Sequence, residues 1–271
     1  MELSIAFILG VLLGSFLNVV ILRIPQDESV VKGFSHCPTC RNTLKPWHNV
    51  PLFSWIFLRG KCAYCSSKIS LQYPLIELLS GMVFLTLAMK FGLSFPALLI
   101  GFSFLTLLAL SMIDFKYKMI PDSLNLLALI FAIFGAWNIS GIALNFQNAL
   151  LFAGGFTLLR FALSYLLTSS AHREAKKTIT SWSKNYQTYP FIEAMGEGDI
   201  IVAATMGALL GVKLTLVAIF LSALLALPVM LSTLKMSKED QRVPFVPFLS
   251  MATFIVYIFD APILRYIEAN Y

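Results

Sequence analysis

The chain has 271 residues, 58% of them hydrophobic and 13% charged, with a mean hydropathy of +0.80. A soluble domain carries about a quarter charged residues, so this composition excludes an ordinary soluble protein and points to one embedded in lipid. The formal net charge of +6 does not indicate nucleic-acid binding, because no basic stripe with interleaved aromatics accompanies it.

A membrane-crossing helix needs about 20 apolar residues, with a range of about 17–25. Such runs occur near 4–22, 74–90, 95–113, 121–138, 147–168, 199–211, 213–233 and 248–268, so the expected fold class is an all-α polytopic membrane protein of eight spans. Only Gly211 and Lys213 separate the sixth and seventh runs, which read as a tight hairpin; as a single segment they would reduce the count to seven. The first run has Glu2 where a signal peptide has cations, and no clear small-residue cleavage site follows it. It is expected to stay as an uncleaved helix with its N-terminus outside and Arg23 inside.

Charge tests this topology. With the N-terminus outside, the inside segments are 23–73, 114–120, 169–198 and 234–247. They carry Arg23, Lys32, Arg41, Lys45, Arg59, Lys61 and Lys68; Lys116 and Lys118; Arg173, Lys176, Lys177 and Lys184; and Lys235, Lys238 and Arg242. Only Lys90, Lys213 and Arg265 fall outside, with Arg160 inside a span, which is the asymmetry of the positive-inside rule.

Residues 23–73 form the one sizeable soluble lobe, too small for a secure apolar core and therefore expected to carry a metal staple. The expected division is 1–73, the first helix with this lobe, and 74–271, the remaining spans. No repeat of fixed period is present. The polar 169–198 loop includes a stretch, 170–186, that reads as a surface helix, with a weakly marked interfacial character.

Cys37-Pro-Thr-Cys40 and Cys62-Ala-Tyr-Cys65 hold all four cysteines of the chain. Two such pairs can present four thiolates tetrahedrally, which suits Zn2+; iron has the same spacing requirement. On the cytosolic side a disulfide is disfavoured by the reducing compartment. The site reads as closed and structural, with His36 and His48 as surface or packing residues.

Asp114 ends the third run and Asp199 begins the sixth, and the charge count places both on the inner face. Ionisable groups beside hydrocarbon are costly and are seldom kept without a task or a partner. Each could simply cap a helix end, as could Asp122 after Pro121. Gly196 and Gly198, flanking Glu197 just before Asp199, favour the active reading, since they permit close approach of an extended peptide. Two carboxylates sharing one proton can activate water, with the ionised member as base and the other as acid toward a scissile carbonyl.

Gly-Ser-Phe-Leu-Asn-Val-Val-Ile-Leu-Arg-Ile-Pro (14–25), the two cysteine pairs, Tyr73-Pro-Leu-Ile-Glu77, Ile113-Asp114, Ile120-Pro121-Asp122 and Gly196-Glu-Gly-Asp199 follow one another in a fixed order. That set resembles the bifunctional type IV prepilin peptidase family over nearly the whole chain. The resemblance implies cleavage of a short basic leader after a Gly on the cytosolic face of the bacterial inner membrane. It also implies methylation of the new N-terminal amine by S-adenosylmethionine, with prepilins and pseudopilins as partners. By that match Asp114 and Asp199 are the catalytic pair and Cys37, Cys40, Cys62 and Cys65 hold the metal. The chain departs from the family at Ile201, where a lysine often stands, at Val246 within Pro244-Phe-Val-Pro-Phe248, where a Gly is usual, and in the length of its 169–198 loop.

No Gly-rich Rossmann turn marks a place for the methyl donor. Asn18, Arg23 and Glu77, at the inner ends of the first two helices, are candidates for binding substrate or cofactor, as are Gly196 and Gly198. Their plain alternatives are an interhelical hydrogen bond for Asn18, an inside anchor for Arg23 and a cation partner for Glu77. Arg160 reads as snorkelling or paired with a carboxylate. Asp260, at the outer end of the last span, is expected to stand apart from the pair. Glu193 and Glu197 are candidates to seat the basic leader. The rival readings are a peptidase without methyl transfer and a non-enzymatic transporter or scaffold.

Overall fold

Apolar runs in lipid must satisfy their backbone groups internally, and here they do so as helices. The structure, a computed structural model, describes residues 1–33, 35–178, 195–233 and 243–270. Its helices are α1 (Glu2–Arg23), α2 (Phe53–Phe57), α3 (Gln72–Phe91), α4 (Phe95–Tyr117), α5 (Asp122–Gly135), α6 (Trp137–Ser140), α7 (Ile142–Thr178), α8 (Glu197–Thr233), α9 (Val246–Ile258) and α10 (Asp260–Asn270). Among the described residues five helices are long and apolar enough to cross a bilayer, or six if α9 and α10 count as one bent span. The protein is thus an α-helical, multi-pass membrane protein.

α4 is the most enclosed of these helices and forms the centre. Ile100, Phe104, Leu107, Leu110 and Ile113 on it are buried against α1, α3, α5 and α9. The Ser103 hydroxyl donates to the Ala128 carbonyl of α5 at 2.9 Å, satisfying a polar group that would otherwise be orphaned. α1 lies along α3 at close range because small residues line the seam. A Cβ on Gly10 would stand 2.9 Å from the Gly81 Cα, and one on Gly14 would stand 2.8 Å from the Glu77 Cα. Gly10 and Gly14 form a G-x-x-x-G pair, the pattern that lets helix backbones approach in lipid.

Three runs differ from straight single spans. The break expected between the sixth and seventh runs is a change of backbone direction at Gly211, whose φ of 69° and ψ of −178° are non-helical. Glycine tolerates that φ, and the Thr215 hydroxyl bonds the Met206 carbonyl across the break at 3.2 Å. The last run, expected as one helix, bends by 79° between α9 and α10. Pro262 sits at the start of α10 without an amide to continue the ladder of α9. The segment expected as a separate surface helix from 170 is, through Thr178, a continuation of α7; its remainder, with Glu193, lies outside the described residues.

Candidate active site and metal centre

Four helix ends meet where Asp114 and Asp199 lie. Asp114 is in the last turn of α4 and Asp199 is the third residue of α8. Both are buried, at 7% and 8% exposure, and lie within electrostatic reach of each other. The Val246 amide at the start of α9 donates to Asp114 Oδ2 at 3.1 Å. The Gly196 amide donates back to the Asp199 carboxylate, in the manner of a capping box. Asp199 therefore caps its own helix and lies within electrostatic reach of a second carboxylate. Gly198 is pressed against Ile120, where a Cβ would stand 2.6 Å from the Ile120 side chain. Asn125, fully buried in α5, donates to the Gly198 carbonyl at 2.8 Å, and its Oδ1 has no partner. The Gly198 carbonyl and the Asp199 amide belong to one planar peptide, so this bond holds the unit from which Asp199 springs. Sequence reasoning missed Asn125. Its only sequence signal is an amide side chain amid apolar residues just after Pro121-Asp122.

The soluble lobe brings Cys37, Cys40, Cys62 and Cys65 together, with all four Sγ atoms within 4.8 Å of one another. Cys37 and Cys65 are 3.8 Å apart, the sulfur–sulfur separation of a tetrahedral site with metal–sulfur bonds of ~2.3 Å. The two cysteine pairs fold alike. The Cys37 amide bonds the Asn42 carbonyl and the Arg41 amide bonds the Cys37 carbonyl; Cys62, Ser67 and Ser66 repeat the pattern. Arg41 and Ser66 both take the left-handed conformation that turns the chain back, at φ 56° and 58°. Isolated antiparallel bridges, His36 with Thr43 and Lys61 with Lys68, close both knuckles. The Cys40 amide and the Ser67 hydroxyl pull the Cys37 thiol from 9.0 down to about 5, which favours the thiolate a metal requires. The donor set and its spacing fit a metal ion. His48 stays out of the cluster, in edge contact with Trp47 and Tyr64.

Lobe and carboxylates share one end of the molecule. Tyr73, at the start of α3, is within electrostatic reach of both Cys37 and Tyr117, and Tyr117 lies one turn beyond Asp114.

Residues 8–91 match the bacterial peptidase A24 N-terminal domain, and residues 99–231 match the type IV leader peptidase family. The chain belongs to the type IV leader peptidase family. The prepilin leader peptidase/N-methyltransferase of Neisseria gonorrhoeae is 34% identical over 96% of this chain and 92% of its own length. The protein of the same name from Bacillus subtilis is 30% identical over 97% of each chain, and that of Stutzerimonas stutzeri 32% over 93% and 89%. No solved structure matches the chain.

In this family member the remaining candidates sit between the lobe and the helices. Asn18 is buried and donates from α1 to the Tyr73 carbonyl at 3.2 Å, the interhelical bond expected of it, while its Oδ1 is unpartnered. Glu77 pairs with no cation among the described residues; it accepts the Leu52 amide at 2.7 Å and tethers the lobe to α3. The Arg23 guanidinium donates to the carbonyls of Ser29 and Lys32, each at 2.9 Å, and so orders the loop after α1. Of the two readings for Arg160, snorkelling or pairing with a carboxylate, the second is observed: its guanidinium meets Glu197 at 3.0 Å. Asp260 pairs with Lys90 at 2.7 Å, at the far end of α4 from Asp114.

Proposed function

We propose that this chain is a prepilin leader peptidase and N-methyltransferase of the bacterial inner membrane, with Asp114 and Asp199 as its cleavage machinery. The observation that supports this most is the meeting of two buried carboxylates from distant helices at one end of the bundle. In the proposed reaction the two share a proton. The ionised member takes a proton from water, the resulting hydroxide attacks the carbonyl that follows the leader's last Gly, and the protonated member donates to the carbonyl oxygen. The Val246 and Gly196 amides hold the two carboxylates in place, and Gly198 keeps the approach narrow. The prepilin's apolar helix lies among the spans, with its basic leader on the same side as the lysines of the inner loops.

The lobe is proposed to face the cytosol, because the cations of 23–73, 114–120 and 169–198 fall on that side of the membrane. Its four thiolates hold Zn2+ as a structural ion, which suits tetrahedral sulfur ligation. S-adenosylmethionine supplies the methyl group for the new N-terminal amine. Asn18, with its unpaired buried acceptor, and Glu77 border the lobe on the side of the carboxylates and are the residues proposed to receive that amine. Arg23 is proposed to shape the loop beside them, and Glu197, still largely exposed beside Arg160, to attract the leader. On this view 1–73 carries the methyl-transfer region and 74–271 the peptidase.

Incubating purified protein with a prepilin and a labelled methyl donor tests the reading. Cleavage should vanish in Asp114→Asn and in Asp199→Asn, while pre-cleaved pilin should still be methylated. Unchanged cleavage in both variants would overturn the assignment of the two carboxylates, and absence of cleavage by the unsubstituted chain would favour a non-enzymatic role.

A further inference from the structure

The lobe carries an apolar face that is exposed and has no partner among the described residues. In α2, Phe53, Ile56 and Phe57 occupy one helical face and are 62%, 63% and 82% exposed. Trp55, on the other side of the helix, packs on Gly60 and donates to the Ile69 carbonyl. Three large apolar side chains on a helix in water would be unfavourable, which raises the question of what they meet.

Two observations answer it. The first is depth. α3 has 20 residues, and at ~1.5 Å per residue it matches a hydrocarbon core of about 30 Å, which places its first residue, Gln72, near the boundary. Glu77 is five residues further in, hence ~7 Å below that boundary. Its carboxylate accepts the amide of Leu52, the residue before α2, at 2.7 Å. α2 therefore starts at the depth where interfacial helices bury their apolar face, roughly 5–10 Å into the headgroup and acyl boundary. Leu71 and Leu75, at the start of α3, are likewise exposed.

The second is charge. Between Glu28 and Glu77 the sequence has no Asp or Glu, yet it has Lys32, Arg41, Lys45, Arg59, Lys61 and Lys68. Arg59 and Lys61 directly follow α2 and are exposed. Exposed cations beside an apolar face, in a stretch without acidic residues, complement an anionic headgroup layer. The same cations repel a basic leader peptide, so the substrate's charged end is a poor occupant.

We propose that α2 with its basic flank inserts into an anionic phospholipid surface and so anchors the metal lobe against the membrane. The inference rests on this geometry alone and holds whichever reaction the chain performs.

Full-length Phe57→Trp, reconstituted in phosphatidylcholine/phosphatidylglycerol vesicles, tests it, with the emission of the unsubstituted chain subtracted. Bromine on upper acyl positions should quench the added tryptophan about two-fold or more, and water-borne acrylamide should quench it weakly. Adding Phe53→Ser and Ile56→Ser should reverse both responses, while Phe53→Leu should preserve them, which separates loss of docking from loss of folding. Arg59→Gln with Lys61→Gln should weaken bromine quenching in these vesicles but leave it unchanged in pure phosphatidylcholine. Strong acrylamide quenching of the reporter would overturn the proposal. So would protection from both quenchers, since that result would assign the face to a protein cover.

Discussion

Cys37 and Cys65 are 28 residues apart and meet inside a lobe whose turns are set by neighbouring residues. Asp114 and Asp199 are carried by different helices and come within electrostatic reach of each other only because the ends of α4, α5, α8 and α9 converge. In the lobe each knuckle makes its own hydrogen bonds, so one can be read from its spacing before any helix is placed. At the carboxylates only the Gly196 amide is local; the Val246 amide, the Ile120 side chain and the Asn125 amide come from other elements. Damage to the lobe should therefore remain mostly within it, whereas the carboxylate site should respond to changes in several helices.

The sharpest test of that contrast is loss of a carboxylate. Asp114→Asn or Asp199→Asn is expected to lower the cleavage rate by roughly 10²–10⁴-fold, the usual worth of a positioned acid or base, with methylation of pre-cleaved pilin unchanged. Loss of both activities together in a folded variant would show that the regions are not separable.

Next in size is metal loss. Cys62→Ser should abolish metal retention, measured by elemental analysis, and reduce methyl transfer at least about ten-fold, with a smaller effect on cleavage. The pH dependence has a defined sign. The folded Cys37 thiol titrates at about 5 against an ordinary 9.0, so its support for the folded lobe is complete above pH 9 and is lost as the pH falls through about 5. Protons compete with the metal for the thiolates, so a zinc-binding dye should detect release as the pH falls into the acid range, and none on raising it from 7 to 9.

Gly198→Ala comes third, because its Cβ would stand 2.6 Å from Ile120. Overpacking of this kind costs about 1–3 kcal/mol, roughly 5–150-fold if it falls on the transition state. Ile120→Ala in the same chain should recover much of the cleavage rate; two effects that simply add would show that the contact does not position Asp199. The smallest effect is expected at Arg160→Ala. Its partner Glu197 is largely exposed, so the pair should contribute less than about 1 kcal/mol, read as a shift in thermal unfolding.

The chemistry-bearing residues were legible to very different extents. The four cysteines, the two carboxylates and the apolar runs stand out because residue type and short-range spacing mark them. Asn125 does not, since an Asn beside Leu124 and Leu126 has no periodic or motif signature until Gly198 is placed against it. Glu77 was legible as an acid at the inner end of the second helix, beside the lobe, but not as the acceptor for Leu52, because that bond joins a loop to a helix 25 residues away. The Gly10 and Gly14 pair was written in the sequence as a small-residue repeat, although its facing partner on α3 was not.

By itself the sequence determined that this protein is helical, membrane-embedded and equipped with a four-thiolate lobe, because hydropathy, charge asymmetry and C-x-x-C spacing act over a few turns of chain. Tertiary structure decided that Gly211 breaks α8, that α9 and α10 bend apart, and that Asp114 and Asp199 come within electrostatic reach. The physical reason is range. Backbone satisfaction in lipid constrains each helix separately, whereas the relative placement of helix ends depends on side-chain packing between segments distant in the chain.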